Sequence, residues 1–414
     1  CSDMRTEIIE KQYKDVCANI TAGNVDSLRI RSEKTASVRV YDGGYLGIAG
    51  KKGAYSLKSL EEEAKDNLSR KIPYCDKPES PLVLSVDTRK KIIDDKEFLA
   101  YVKNAAKRIA DENPDFLING KAYLHETATS FDNGEGRKLD YKGNSTEFVI
   151  LFKDKKSANI MDGSFGFEGN KIVGEEFFND VKTELDAFLV SASLPDGDKL
   201  PVIMSGAYFS FALQHFVAEI YCNGASLLNG KLGEKIFSEN FSVVFDHNPE
   251  RKFADDFFDA EGVVCDGYKS YLIKKGVMQN LLTTKADAEK FGVNNLGNAD
   301  ASYAGAPSIS ANGFAVERGD KSLGELLSGR EAIFLDTSSG GDMTPEGNIA
   351  LPCQLAFLYR DGKIVGRLPE FSLTGNIFDA FGKDFIGVCS LGDIFKSQSE
   401  SNVIVTEMNV VNRK

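Results

Sequence analysis

The sequence predicts an α+β protein with two domains, and three observations support this prediction. The chain has 414 residues, more than the roughly 250 to 300 at which a single hydrophobic core stops growing. The first half mixes helical apolar spacing with strand-like alternation, whereas strands and tight turns dominate the second half. We expect an N-terminal α/β domain with a mixed sheet and flanking helices, and a C-terminal antiparallel β-rich domain with one prominent helix.

The first half alternates between predicted helices and predicted strands. Apolar residues follow a helical period over residues 6–20, which predicts an opening amphipathic helix. Alternation over residues 27–50, interrupted by Asp42-Gly43-Gly44, predicts a β-hairpin. The remaining predicted elements here are helices over 59–68, 98–109 and 177–189, and a strand meander over 121–174.

A small and polar run over residues 191–198 separates the two halves. Such runs are typical of linkers, so we place the domain boundary there, giving domains 1–194 and 195–414. The second half begins with a predicted strand at 202–204 and a single predicted helix over 205–222, which Asn223-Gly224 would end. Hairpins are predicted over 268–282 and 355–365, the second with Asp361-Gly362 at its turn.

Charge and cysteine usage restrict the function classes. The 62 acidic residues outnumber the 50 basic residues, and the net charge of −12 would repel a phosphate backbone, so nucleic acid is excluded as a main partner. No apolar run approaches the ~20 residues of a membrane span. The seven cysteines are scattered, which is typical of reduced thiols in the cytoplasm. Cys1 is either a lipid-anchor site or a trimmed end, and both alternatives stay open.

An ordered series of short segments in the second half carries a family resemblance. The segments are 202–204, 230–234, 241–246, 259–263, 272–282, Tyr303-Ala304-Gly305-Ala306-Pro307-Ser308, Asn312, Ser339-Gly340-Gly341-Asp342, 361–363 and Leu373-Thr374-Gly375-Asn376. Together they resemble the TldD/PmbA family of peptide-processing metalloproteases. The resemblance implies an α/β domain followed by a β-rich domain, a dimeric protein, and work on peptides inside the cell. The best-described family form pairs a zinc-bearing subunit with a metal-free companion.

In the catalytic branch of that family, an HExxxH motif supplies two histidine zinc ligands and a glutamate general base. The helix predicted over residues 205–222 would carry this motif. The resemblance places Gln214 at the first His position, His215 at the Glu position and Glu219 at the second His position. A neutral amide is a poor zinc ligand. We therefore expect the TldE-like branch, with no metal, cofactor or confident catalytic residue in this chain and zinc only in an HExxxH-bearing partner.

Other residue patterns give weaker hypotheses. His215 and Glu219 would share one face of a continuous helix and could bind a metal in a new arrangement, although two residues do not make a site. The family's third ligand, a cysteine, is expected near residues 397–401, and Cys389 precedes that position. The remaining patterns are His125-Glu126 as a ligand pair, Asp246-His247 as a nucleophile-orienting pair, Gly340-Gly341 as a turn or close approach to a peptide, and Asp255-Asp256 as solvated surface.

Three functions follow from these patterns. The leading hypothesis is a metal-free companion subunit that holds an extended peptide, or an unfolded protein segment, by β-strand addition in a protease heterodimer with a TldD-like subunit. The second is a divergent stand-alone hydrolase using His215, Glu219 or His247. The third is a homodimeric peptide-binding module without catalysis.

Overall fold

A computed structural model describes residues 4–75, 77–251 and 255–411, so Cys1 lies outside the described residues. The first half contains strands β1 (Arg5–Thr21), β2 (Asn24–Asp42), β3 (Tyr45–Lys52), β4 (Ile72–Pro73), β5 (Leu82–Asp87), β6 (Phe116–Asp132), β7 (Arg137–Asp154) and β8 (Gly163–Gly169). Its helices are α1 (Leu57–Asn67), α2 (Asp95–Glu112) and α3 (Glu175–Leu189).

The second half is mostly strand, as expected. Its strands are β9 (Lys199–Ser205), β10 (Val243–Asp246), β11 (Lys269–Lys274), β12 (Val277–Met278), β13 (Ala299–Asp300), β14 (Ser308–Ile309), β15 (Phe314–Val316), β16 (Ala332–Ser338), β17 (Asp342–Met343), β18 (Asn348–Arg360), β19 (Lys363–Arg367), β20 (Phe371–Asn376), β21 (Phe385–Ser390) and β22 (Asn402–Val411). The α-helices are α4 (Ala218–Cys222), α5 (Lys285–Phe291) and α6 (Leu323–Leu327).

The predicted α+β class is confirmed. The N-terminal sheet has the order β4-β3-β2-β1-β6-β7-β5, with β8 also paired to β7. It is mixed, because β5 runs parallel to β7. The main C-terminal sheet has the order β16-β9-β22-β20-β18-β17 and is antiparallel apart from the parallel pair β9 and β16. The three hairpins predicted around residues 43, 275 and 361 are all present.

The opening helix predicted over residues 6–20 is wrong, because this segment is strand β1. Along β1 the side chains of Val16, Ala18 and Ile20 alternate onto the buried face. The apolar residues of this segment therefore fit the two-residue period of a strand as well as the period of a helix. β1 pairs with β2 on one side and with β6 on the other along most of its length. Hydrogen bonding to two distant segments overrides the local helical spacing.

One apolar core is shared by the two halves of the chain. Helix α3 lies in it, and its Phe177 and Phe188 belong to the same buried cluster as Phe334 and Phe357 of the C-terminal sheet. The rings of Phe165 and Phe395 meet edge to face with centroids 5.1 Å apart. This cluster crosses the boundary predicted between residues 194 and 195, and the boundary stays a prediction.

A buried polar cluster also joins the two halves. Glu261 is 2% exposed, and both of its carboxylate oxygens accept from the backbone N–H of Lys285, at 3.1 and 3.0 Å. The hydroxyl of Tyr74, from the N-terminal half, donates to the same carboxylate. Burial, reinforced by the nearby charge of Asp259, raises the pKa of Glu261 to about 8.

This raised pKa predicts a stability that falls as the pH rises. The folded carboxyl group binds its proton more tightly than an unfolded one, whose pKa is about 4.3. The stabilisation is therefore present at low pH and is lost as the pH rises towards about 8. Between pH 6.5 and 8, Glu261→Gln should flatten the pH dependence of the free energy of unfolding by up to about 1.4 kcal/mol per pH unit. Urea titrations of both proteins measure this, and parallel pH profiles would contradict it.

Candidate functional site

The segment that carries Gln214, His215 and Glu219 is not one helix. Strand β9 ends at Ser205, whose hydroxyl oxygen accepts from the N–H of Ala207 at 3.2 Å and starts a 3-10 helix over Gly206–Phe216. Val217 is then extended, and α4 begins only at residue 218. The continuous helix predicted over residues 205–222 is therefore wrong.

The break at Val217 results from pairing with a distant segment. Val217 forms a parallel bridge with Leu282. The N–H of Ala218 donates to the Leu282 carbonyl at 3.0 Å, and the N–H of Leu282 donates to the Phe216 carbonyl at 2.8 Å. These bonds take backbone groups that a continuous helix would pair internally. His215 and Glu219 consequently lie on two separate helical segments rather than on one helix face.

His215 has a structural environment. Its ring Nδ1 accepts from the N–H of Leu227 at 3.1 Å, and its carbonyl accepts from the hydroxyl of Ser226 at 2.6 Å. The neutral ring therefore carries its proton on Nε2. Partial burial lowers the pKa of His215 below its usual value, so the ring is neutral at pH 7. Both interactions fix the loop that follows α4.

Gln214 and Glu219 are exposed. The Glu219 carboxylate lies 3.4 Å from the ammonium of Lys290, and both side chains are about 60% exposed, so this ion pair contributes little. In the described ranges, no group of three His, Cys, Asp or Glu side chains is placed to hold a metal ion. The residues at the motif positions do not fit zinc, because Nδ1 of His215 accepts from the Leu227 N–H and its Nε2 therefore carries the proton, while Glu219 lies beyond the break.

The other candidate residues also have structural partners. Cys389 is 1% exposed, and burial raises the pKa of its thiol to about 12, so the free thiol is neutral at pH 7. Asp246 accepts from the N–H of Asn248 at 3.0 Å, which closes a turn after β10. The Nδ1 of His125 lies 2.5 Å from Asp15, whereas Glu126 lies 3.5 Å from Arg89 at the surface.

Two further expectations concern glycines and carboxylates. A Cβ at Gly341 would lie 2.6 Å from Leu351 and 3.0 Å from Phe211, so the close approach here is to the protein's own side chains. Asp255 is exposed, as expected for solvated surface. The same expectation is wrong for Asp256, whose side chain is only 20% exposed. The following residues, Phe257 and Phe258, pack against the N-terminal sheet, and Asp256 therefore lies close to that sheet.

A groove of about 760 Å³ runs beside the start of the 3-10 helix. Its lining residues are Ser205, Gly206, Ala207, Val244, Asp246, Arg251, Lys269, Phe314, Ala315, Val316, Glu317, Arg318, Gly319, Glu400, Ser401 and Asn402. The structure thus brings residues 205–207 together with residues 400–402, next to where the resemblance expects a cysteine ligand. Gln214, His215 and Glu219 are not part of this lining.

Strand β15 forms one wall of this groove. It is the outer strand of the four-stranded sheet β12-β11-β10-β15. Ala315 lies opposite Val244, and hydrogen bonds at the flanking pairs Glu317–Ser242 and Asp246–Gly313 set the alternation. The Phe314 carbonyl and the Val316 N–H therefore point away from β10, towards the groove.

Charged side chains fix the rest of the groove wall. The guanidinium of Arg318 donates to the Asn402 side-chain oxygen at 2.8 Å and to the Ser399 carbonyl at 2.7 Å. The Asn402 amide in turn donates to the Val316 carbonyl at 2.9 Å. Lys269 lies 3.3 Å from Glu317. Sequence reasoning missed these residues. The only local signal is the short apolar run 314–316 after Asn312-Gly313, which indicates a strand but does not indicate that this strand lies at the edge of a sheet.

Comparison with known proteins identifies the family to which this chain belongs. Residues 197–412 match the model of the PmbA/TldA metallopeptidase C-terminal domain. The match covers just over half of the chain, and the chain therefore belongs to this family. The family resemblance found in the sequence is confirmed.

Individual relatives add detail. A metalloprotease of Methanothermobacter thermautotrophicus is 31% identical over 289 residues, which are 64% of this chain and 62% of that protein. A metalloprotease TldD homolog of Haemophilus influenzae is 28% identical over 163 residues, 38% of this chain and 33% of that protein. The chain thus spans less than two thirds of the length of these relatives. The crystal structure of TldE from Thermococcus kodakarensis aligns with a TM-score of 0.81 at 18% identity, covering 99% of this chain and 96% of that one, which shows a common fold.

The contacts of His215 predict a role in stability. His215→Ala removes the acceptor of the partly buried Leu227 N–H and should lower the free energy of unfolding by about 1 to 3 kcal/mol. The neighbouring exposed residue provides the control, because Gln214→Ala should change the same free energy by no more than about 0.5 kcal/mol. Urea denaturation of the three proteins measures both effects. Equal effects of the two substitutions would contradict a structural role for His215.

Proposed function

We propose that this chain is a metal-free companion subunit of a peptide-processing metalloprotease and forms part of its peptide cleft. The observation that carries the proposal is the break at Val217, which separates His215 from Glu219 and leaves each with its own structural partner. The chain keeps the family fold, and its described residues offer no zinc ligand set. Its likeness in fold to a protein named TldE supports a heterodimer with a TldD-like, HExxxH-bearing subunit.

The proposed peptide contact is β-strand addition at β15. An extended peptide would accept a hydrogen bond from the Val316 N–H and donate one to the Phe314 carbonyl. These two groups flank Ala315, which is the pattern that one residue of a parallel neighbouring strand uses. The Asn402 amide already binds the Val316 carbonyl at 2.9 Å. The peptide contact on this side is therefore short, and the partner subunit would supply the rest of the cleft.

The compartment of the proposed complex is the cytoplasm. The six cysteines in the described ranges are all free thiols, which suits a reducing compartment. In the part of the chain that the structure describes, no helix has the length and apolar character of a membrane span.

The division of labour predicts where zinc and activity are found. The purified chain should contain no stoichiometric zinc and should not cleave peptides, whereas a mixture with an HExxxH-bearing relative should cleave them in a zinc-dependent way. Elemental analysis and a peptidase assay of the chain, the relative and the mixture measure this.

Two other outcomes have defined meanings. Stoichiometric zinc and activity in the chain alone, both lost in His215→Ala, would establish a divergent hydrolase instead. Peptide binding by a homodimer that gains no activity from any such relative would establish a binding module without catalysis.

Strand addition predicts that one peptide N–H is critical, because the peptide donates a single hydrogen bond, to the Phe314 carbonyl. The backbone nitrogens of a decapeptide that the mixture cleaves are methylated one at a time. Methylation of the N–H that donates to Phe314 should weaken binding to this chain about ten-fold, the equivalent of one lost hydrogen bond, and the other positions should tolerate it. Fluorescence anisotropy measures the affinities. An equal response at every position would exclude strand pairing.

A further inference from the structure

A small polar pocket lies where the second half of the chain covers the N-terminal sheet. Its floor is one face of the adjacent strands β2, β1 and β6. Ser37 lies opposite Ile9, and Ile9 lies opposite Phe131, so these side chains project from the same face of the sheet. The roof is formed by residues 256–260 together with Tyr303. The cavity has a volume of about 40 Å³.

Four polar atoms of the residues that line this pocket have no well-aligned hydrogen-bond partner in the described ranges, although the Thr129 hydroxyl and the Asp256 carboxylate lie close to each other. They are Ser37 Oγ, Arg39 Nε, Thr129 Oγ1 and Asp256 Oδ1. Ser37, Arg39 and Thr129 are only 3%, 1% and 4% exposed. Buried polar groups nearly always have partners, so four unpaired atoms around one cavity indicate a ligand with matching groups.

The surrounding contacts hold these atoms in place. An Arg39 terminal nitrogen donates to the Ala260 carbonyl at 2.5 Å and lies 3.9 Å from the Glu7 carboxylate, which fixes the guanidinium plane. The other oxygen of Asp256 lies 3.7 Å from the ammonium of Lys11. The side chain of Lys11 is 42% exposed and Tyr303 is 41% exposed. The pocket therefore opens to solvent on the side of these two residues.

The unpaired atoms restrict the chemistry of the ligand. Arg39 Nε can only donate, an ionised Asp256 Oδ1 can only accept, and the hydroxyls of Ser37 and Thr129 can do either. An anion would face the Asp256 carboxylate, whereas a cation would face the Arg39 guanidinium. The ligand must therefore be neutral and must present both an acceptor and a donor. The cavity has room for roughly three atoms of the size of a water molecule.

We propose that this pocket binds a primary carboxamide, with its oxygen towards Arg39 and its nitrogen towards Asp256. The group consists of three heavy atoms in one plane and carries one acceptor and two N–H donors. The carboxamide belongs either to a small free amide or to an Asn or Gln side chain of a peptide whose backbone stays outside. This inference does not rest on the proposed companion role, because the pocket and the groove beside β15 share no lining residue.

Three probes of the same shape test the chemistry: acetamide, acetate and acetamidinium. Acetamide should bind at least about ten-fold more tightly than either charged probe, because each charged probe leaves a hydrogen-bonding group unsatisfied. Titrations of the full chain followed by NMR chemical shifts measure the three affinities. Equal affinities, or an acetamide-soaked crystal that holds only water in this pocket, would overturn the proposal.

Matched variants locate the binding to this pocket. Thr129→Val keeps the shape of the side chain but removes one unpaired hydroxyl, and it should weaken acetamide binding about ten-fold without lowering the unfolding midpoint. Thr127→Val, two residues earlier on β6 and outside the pocket lining, should leave binding unchanged. A loss of binding in both variants, or in neither, would contradict the assignment.

Peptides distinguish the two sources of the carboxamide. Peptides that contain Gln or Asn are compared with the same peptides containing Glu or Asp. Tighter binding of an amide peptide than of free acetamide would identify a peptide side chain as the ligand. Equal affinity would identify a small free amide. Failure of every amide to bind would overturn the proposal while leaving the zinc and mixing experiments on the companion role unaffected.

Discussion

The apolar core shared by the two halves of the chain is the constraint on which the rest of the structure depends. Helix α3 and strands β1, β6 and β7 supply one side of it, and the C-terminal sheet supplies the other. Because residues from Val16 to Val405 meet in one cluster, neither half can bury these apolar residues alone, although the second half also has a core of its own. The position of the carboxamide pocket follows from this docking, since it sets how the C-terminal loops meet the N-terminal sheet.

Polar groups at the junction give this docking its specificity. Apolar burial alone would tolerate small shifts between the sheets, whereas the Glu261 carboxylate must meet the N–H of Lys285 and the hydroxyl of Tyr74 together. The Arg137 side chain adds a bond to the Gly262 carbonyl at 2.6 Å. Buried groups of this kind are costly when unpaired. The loop around Asp259 is thereby held in one position, and it carries the roof of the pocket with it.

The sequence predicted those elements whose signals are local. The Asp42-Gly43-Gly44 and Asp361-Gly362 turns and the apolar faces of α2 and α3 depend on neighbouring residues, and all are present. Prediction failed where pairing with a segment far away in the sequence determines the local structure. Strand β1 needs pairing on both sides, and the break at Val217 needs Leu282, 65 positions further along the chain. The carboxamide pocket combines residues from three strands and two distant loops, and no single stretch of sequence shows such a combination.

The break at Val217 also bears on what it would take to build a zinc motif into this chain. If histidines were placed at positions 214 and 219, they would stand on two short helical segments whose relative orientation is set by the bridge to Leu282. The substitutions would supply the two histidine ligands of the motif, but on two separate segments rather than on one helix, and position 215 would still lack the glutamate. Joining the two segments would require a change at residue 282, outside the motif. Under the proposed companion role, exchange of the ligand residues alone would therefore not create a zinc site, because the backbone path at Val217 sets where the two side chains lie.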